Sequence, residues 1–137
     1  PTPEQEFRVL KTHQREPQPV SPVLSPQDIE DARDFVDGLH ISDELVQYII
    51  RLARFTRDHT QVELGASPRA ALSLLKSSKA RAALHGRDYV LPDDVRALVA
   101  SVFGHRIILL PEAELGGFRA IDVVRQALQK VRYSEGQ

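Results

Sequence analysis

Arg69 stands where a cation is least expected. The stretch Gly65-Ala66-Ser67-Pro68-Arg69-Ala70 reads as a helix start, with Gly65 in the turn, Ser67 as N-cap and Pro68 at the first helical position. Three other starts share the form (Ser/Thr/Leu)-Pro-x-x, at Thr2-Pro3, Ser25-Pro26 and Leu91-Pro92. Those three carry Glu4, Asp28 and the pair Asp93 and Asp94 in their first turns, where the positive end of the helix dipole favours carboxylates. A cation in the same place loses about 0.3–1 kcal/mol. An arginine beside unpaired N–H groups makes physical sense when an anion sits opposite, and phosphate is the common case. The alternative is that Arg69 points to solvent or pairs with Glu63, which leaves it no role beyond the surface.

Other chemistries are poorly supported. The histidines, His13, His40, His59, His85 and His105, include no pair at helical metal-ligand spacing. Structural or surface roles are expected of them, and no metal site. No serine, histidine and acid set is legible, so a hydrolase site in this chain alone is not expected. A phosphate loop needs a glycine directly before a lysine, and none occurs. Residues Ile107 to Glu112 look like a hydrophobic strand ending in an acid. Pro111 and the missing Asp-Glu pair favour an edge segment over a magnesium site. Arg51, Arg54 and Arg57 with Lys76 and Lys79 suggest a basic surface, but Asp58, Glu63 and the acidic stretch 27–37 make a solvated face the better reading.

The elements that must position Arg69 follow from spacing. Thr2 with Gln5 is a capping box opening a short helix to about Arg15, with Phe7 and Leu10 on one side. Residues 16–24 hold three prolines and read as an extended connector. Ser25 with Asp28 starts a helix that ends at Gly38, its apolar row being Ile29, Ala32, Val36 and Leu39. Ser42 opens the strongest helical pattern, with Leu45, Ile49, Leu52, Ala53 and Thr56 in a row widened by Val46 and Ile50. Residues 59–66 read as a loop.

The Arg69 helix then runs to Gly86, with Ala71, Leu74, Leu75, Ser78 and Ala82 on one face. Tyr89-Val90-Leu91 is β-prone and could pair with Leu39-His40-Ile41. Val95, Leu98, Val99 and Val102 form the next buried row, stopped by Gly104. Arg106 to Pro111 reads as extended, and Gly116-Gly117 breaks the chain. A last helix from about Arg119 to Arg132 buries Ala120, Val124, Ala127, Leu128 and Val131, ahead of a frayed tail from Tyr133. The expected fold is all-α, a small bundle of six helices with at most a minor two-stranded β element.

Composition sets the outer bounds. The 137 residues suffice for one core, with 42% hydrophobic and 27% charged residues. A formal net charge of −1 does not favour a general nucleic-acid binder. Zero cysteines exclude a disulfide framework and fit a reducing, cytoplasmic setting. No apolar run approaches the ~20 residues of a membrane span, and the opening residues do not read as a signal peptide. The absence of methionine and the start at a proline read as a piece of a longer polypeptide.

Four blocks in order carry a resemblance. Tyr48 to Arg57, Leu64 to Ala71, Gly86 to Val95 and Gly104-His105-Arg106 resemble the C-terminal lid of MoxR-type AAA+ ATPases. The resemblance runs from about Ser25 to Arg106, and the opening residues Pro1 to Glu6 look like the junction between ATPase core and lid. It implies residues 1–24 as junction helix and connector, 25–115 as the helical lid, and 116–137 as a C-terminal helix and tail. It implies that Arg69 is the sensor-two arginine, which reaches the γ-phosphate of ATP bound on a core domain. Ser67, Pro68, Phe7 and Leu10 would lie near the nucleotide, with no catalytic residue in this chain and Mg2+ held by the core.

The resemblance further implies a ring-forming ATP hydrolase acting as a chaperone-like remodeller, with partners carrying von Willebrand factor A domains. Two departures stand out: Leu91 occupies a position where the family has a small polar cap, and Pro111 to Phe118 has no family counterpart. Without a cap, the helix after Leu91 must lean on Asp93, on Asp94 or on burial of Leu91. The rival reading is an autonomous helical interaction module without a nucleotide role, and a weaker third is a helical DNA-binding domain.

Overall fold

Each anticipated start forms as hydrogen bonding requires. The computed structural model describes residues 1–12 and 20–134. The chain divides into two compact units, Pro1–Glu30 and Asp31–Gln137. In the first, α1 (Pro3–Thr12) begins at a reciprocal capping box, Thr2 N to Gln5 Oε1 at 2.9 Å and Gln5 N to Thr2 Oγ1 at 3.4 Å. The expected continuation to Arg15 and residues 16–19 of the connector lie outside the described residues, whereas residues 20–25 contain no regular element. The helix α2 (Pro26–Gly38) opens the same way, with Ser25 N to Asp28 Oδ2 at 2.7 Å.

One expectation about α2 does not hold. None of its residues is buried, and Ile29 and Phe35 are largely exposed. Spacing creates an apolar face but cannot supply the surface that covers it. Leu39, just past the helix, is the first residue of that row to be buried.

The second unit is built on α3 (Asp43–Arg57), capped by Ser42, which accepts from Leu45 N at 3.3 Å. Its buried side is Leu45, Tyr48, Ile49, Leu52, Ala53 and Thr56, the expected row with Tyr48 added. The helix α4 (Pro68–Leu84) packs on α3 and on α5 (Pro92–Phe103). It buries Leu74 and the small residues Ala70, Ser78 and Ala82, which let α5 approach closely, while Ala71 and Leu75 of the expected row are half-buried. Two residues past the end of α4 stands Gly86, whose φ of +68° is a left-handed conformation that suits glycine, and Arg87 N bonds back to Ala82 O at 3.0 Å. From α5, Val95, Val99 and Phe103 enter the core, with Leu98 and Val102 half-buried.

The expected pairing of residues 39–41 with 89–91 is present as one parallel bridge, His40 opposite Tyr89. Two short elements depart from the sequence reading. The loop 59–66 contains a strand, β1 (Val62–Leu64), which pairs antiparallel with β2 (Ile108–Leu109) across an irregularity. Pro111 to Phe118 contains a helix, α6 (Pro111–Leu115). With α7 (Ala120–Lys130), the described residues hold seven α-helices in place of the expected six. Burial of Val123, Val124 and Ala127 seats α7 against α3 and α5. Tyr133, the first residue of the expected frayed tail, meets the buried Tyr48 ring edge-on, centroids 5.8 Å apart, and residues 135–137 of that tail lie outside the described residues.

Candidate functional site

The start of α4 is held against the end of α3 by two contacts. Thr56 Oγ1 donates to Ala53 O at 2.7 Å and accepts from Ala66 N at 2.8 Å, both inside the core. Gly65 lies so close to the α3 backbone that a Cβ there would stand 2.6 Å from Arg57 Cα and N. Only glycine permits that approach without moving backbone. Ser67 then caps α4 from an extended backbone, φ −73° and ψ 167°, and its hydroxyl accepts from Ala70 N at 3.3 Å. Arg69 follows as the second residue of a helix whose origin is fixed.

Leu64, Gly65, Ser67, Arg69 and Arg106 line an open hollow of about 340 Å³, built entirely within the second unit. Arg69 is exposed and forms no ion pair with Glu63, so that half of the bland alternative fails while the solvent-facing half stands. Among the described residues no carboxylate lies within 4 Å of either guanidinium in the hollow. Such a surface can accept a phosphate oxygen, because each guanidinium offers charge and several N–H donors in one plane. Of the other candidates, Ser67 joins Arg69 in the hollow, and its hydroxyl is engaged as the cap. Pro68 is exposed beside it. Phe7 and Leu10 belong to α1 in the other unit and are exposed, at 63% and 69%.

The other end of α4 is electrostatically closed. Asp94, 2% exposed, accepts from Arg87 in bidentate fashion, both contacts at 2.8 Å, and from Leu91 N at 2.9 Å. Arg81 Nε stands 3.4 Å away, an ion pair without hydrogen-bond geometry. Burial pushes the Asp94 carboxyl up, but the Arg87 and Leu91 hydrogen bonds and the charges of Arg87 and Arg81 outweigh it and leave it below the ordinary carboxylate value. Asp94 thus supplies the N3 half of a capping box for α5 by bonding the Leu91 amide, while the half that a polar residue at 91 would supply is absent and the Asp94 amide bonds Leu91 O at 3.0 Å instead. Leu91 itself remains 40% exposed and contributes little by burial.

The sequence reading overlooked Thr56 and Arg106 as parts of the site. Thr56 fell in an apolar row, and its hydroxyl role depends on a loop ten residues away. Arg106 sits in the three-residue 3-10 turn Gly104–Arg106, and its anchor Ser73 lies 33 positions back. Among the histidines, His59 accepts from Gln61 N through Nδ1 at 3.2 Å, which leaves Nε2–H to donate to Gln126 Oε1 at 3.2 Å, while His13 lies outside the described residues. Among the described residues no group of three acids or histidines is placed to hold a metal, and no helix is long and apolar enough to cross a membrane.

Known proteins share this architecture. Residues 54–127 match the AAA lid domain family. The uncharacterised protein YeaC of Bacillus subtilis is 36% identical over 113 residues, covering 82% of this chain and 35% of that protein. The chaperone MoxR1 of Mycobacterium tuberculosis is 29% identical over 140 residues, covering 96% of this chain and 37% of that one. A crystal structure of a provisionally assigned ATPase from Cytophaga hutchinsonii superposes with a TM-score of 0.82 at 30% identity, over 98% of this chain and 44% of the other. The chain therefore spans little more than a third of the length of the two curated relatives. Family match, relatives and fold agree: the chain belongs to the AAA lid domain family and is a lid of the MoxR type.

Proposed function

We propose that this chain is the lid of a MoxR-type AAA+ ATPase and that Arg69 reads the γ-phosphate of ATP held on a core domain. The observation that carries this is the unneutralised Arg69 guanidinium over an open hollow, on a helix start pinned by Gly65, Thr56 and Ser67. When bound, ATP supplies the phosphoryl group, and Mg2+ would be held by the core.

The chain's own part is electrostatic. A fixed cation near the transferring phosphoryl stabilises the charge that grows on its oxygens, and a guanidinium does so with directed donors. Because Arg69 leaves from the first turn of α4, its contact with nucleotide is also a contact of the whole bundle, so nucleotide state and lid position become one variable. In a ring of such subunits in the cytoplasm that coupling drives chaperone-like remodelling, with a von Willebrand factor A domain protein as partner.

The test uses the full-length ATPase. Arg69→Ala should lower ATP turnover about a hundredfold, the scale of losing one charge-stabilising donor, while the lid stays folded by circular dichroism. Turnover within about twofold of wild type removes the sensor role, since that is under 0.5 kcal/mol of transition-state stabilisation. A partner bound equally well without nucleotide and by the Arg69→Ala protein would favour the interaction-module reading instead.

A further inference from the structure

Arg106 is the second cation of the hollow, and its surroundings differ from those of a surface arginine. It is half-buried, and two neutral groups fix it. Its Nη1 donates to Ser73 Oγ at 3.1 Å, and its Nε donates to His105 Nε2 at 3.1 Å. The Ser73 hydroxyl in turn donates to the Arg69 carbonyl at 3.0 Å, so its lone pairs are left for Arg106. His105 Nδ1 lies 2.9 Å from Ser101 O, which can only accept. The ring therefore carries its proton on Nδ1 and turns the lone pair of Nε2 to Arg106.

These contacts aim the guanidinium without cancelling its charge. A hydroxyl and a neutral imidazole orient a cation, whereas a carboxylate would neutralise it. Two of the five N–H donors are used, and three are left for another acceptor. Two like charges lining one hollow repel each other, and an anion with several oxygens turns that repulsion into two attractions.

We infer that Arg106, aimed by Ser73 and His105, is a second phosphate-contacting arginine, gripping the polyphosphate of a nucleoside triphosphate beside Arg69. The inference rests on the reading of the hollow as nucleotide-facing. Arg106 is oriented before any ligand arrives, so its contribution falls on binding. Arg69, exposed and without side-chain partners to orient it, contributes chiefly to turnover.

The experiment measures ATP KM, kcat and equilibrium ATP affinity in the full-length ATPase carrying Arg106→Ala, Arg106→Gln, Ser73→Ala or Arg69→Ala. Arg106→Ala should raise KM and Kd for ATP about tenfold with a smaller change in kcat, and Ser73→Ala should raise them about threefold. Arg106→Gln places an amide N–H where Nε donates to His105 but removes the charge, so it separates fold from binding: it should melt as wild type does and still bind ATP weakly.

Unchanged KM and Kd in Arg106→Gln, with Arg69→Ala defective, overturn the role of Arg106 and leave the sensor reading intact. If Arg69→Ala and Arg106→Gln are both silent, the hollow does not face nucleotide at all. A KM defect that only tracks a lowered melting temperature across the variants makes Arg106 a structural residue and also overturns the inference.

Discussion

At the C-terminal end of α4, Arg81 and Arg87 converge on the buried Asp94, whereas at its N-terminal end Arg69 shares a hollow with Arg106 and with no carboxylate. Both ends gather two arginines, so composition does not distinguish them. What differs is the counter-charge. In the first cluster the anion belongs to the chain, Arg87 grips it with two hydrogen bonds, and the same carboxylate holds the Leu91 amide at the start of α5. In the second the partners are a hydroxyl and an imidazole, which leave net positive charge facing open space. Charge closed within the fold serves the fold. Charge oriented but left uncancelled is available to something outside it.

Four substitutions separate the two ends by stability. Asp94→Ala should cost the most, about 3 kcal/mol in urea unfolding, because it strands Arg87 and the Leu91 N–H together. The effect should depend on pH in a defined direction. The folded-state Asp94 carboxyl titrates below its unfolded value, so its stabilisation is complete above about pH 4 and is lost as pH falls through the folded value. Wild type and Asp94→Ala should therefore converge in acid; a constant gap down to about pH 2 would show that the carboxylate is not the source.

Gly65→Ala should come next, at about 2 kcal/mol, since the new methyl meets backbone instead of a side chain that can swing away. Ser67→Ala removes one cap bond and should cost about 1 kcal/mol. A loss from Ser67→Ala as large as that from Asp94→Ala would erase the contrast between the ends. Smallest of all, Arg69→Ala should alter lid stability by no more than about 0.5 kcal/mol, in keeping with an exposed side chain.

How much of this could be read beforehand depends on range. The starts at Thr2, Ser25, Ser42 and Ser67 are written within four residues each, and all four form as read. The buried rows of α3, α4, α5 and α7 repeat often enough for their period to show. The strand β1 is three residues long and its partner is over forty positions away, so neither length nor alternation could reveal it. Five residues between Pro111 and Gly116 are too few to display a helical period, which hid α6. Arg69 was visible because its oddity is local. Arg106 was not, because its aim comes from Ser73 on a different helix and its half-burial from the fold.

The seat of Gly65 on α3 has a mechanical consequence. A loop with slack would absorb displacement at the root of α4, but Gly65 already touches backbone and the Ala66 amide is tied to Thr56. A pull on Arg69 is therefore passed at once to the last turn of α3, and through the packed faces of α3 to α4 and α7. The junction behaves as a rivet and not as a hinge.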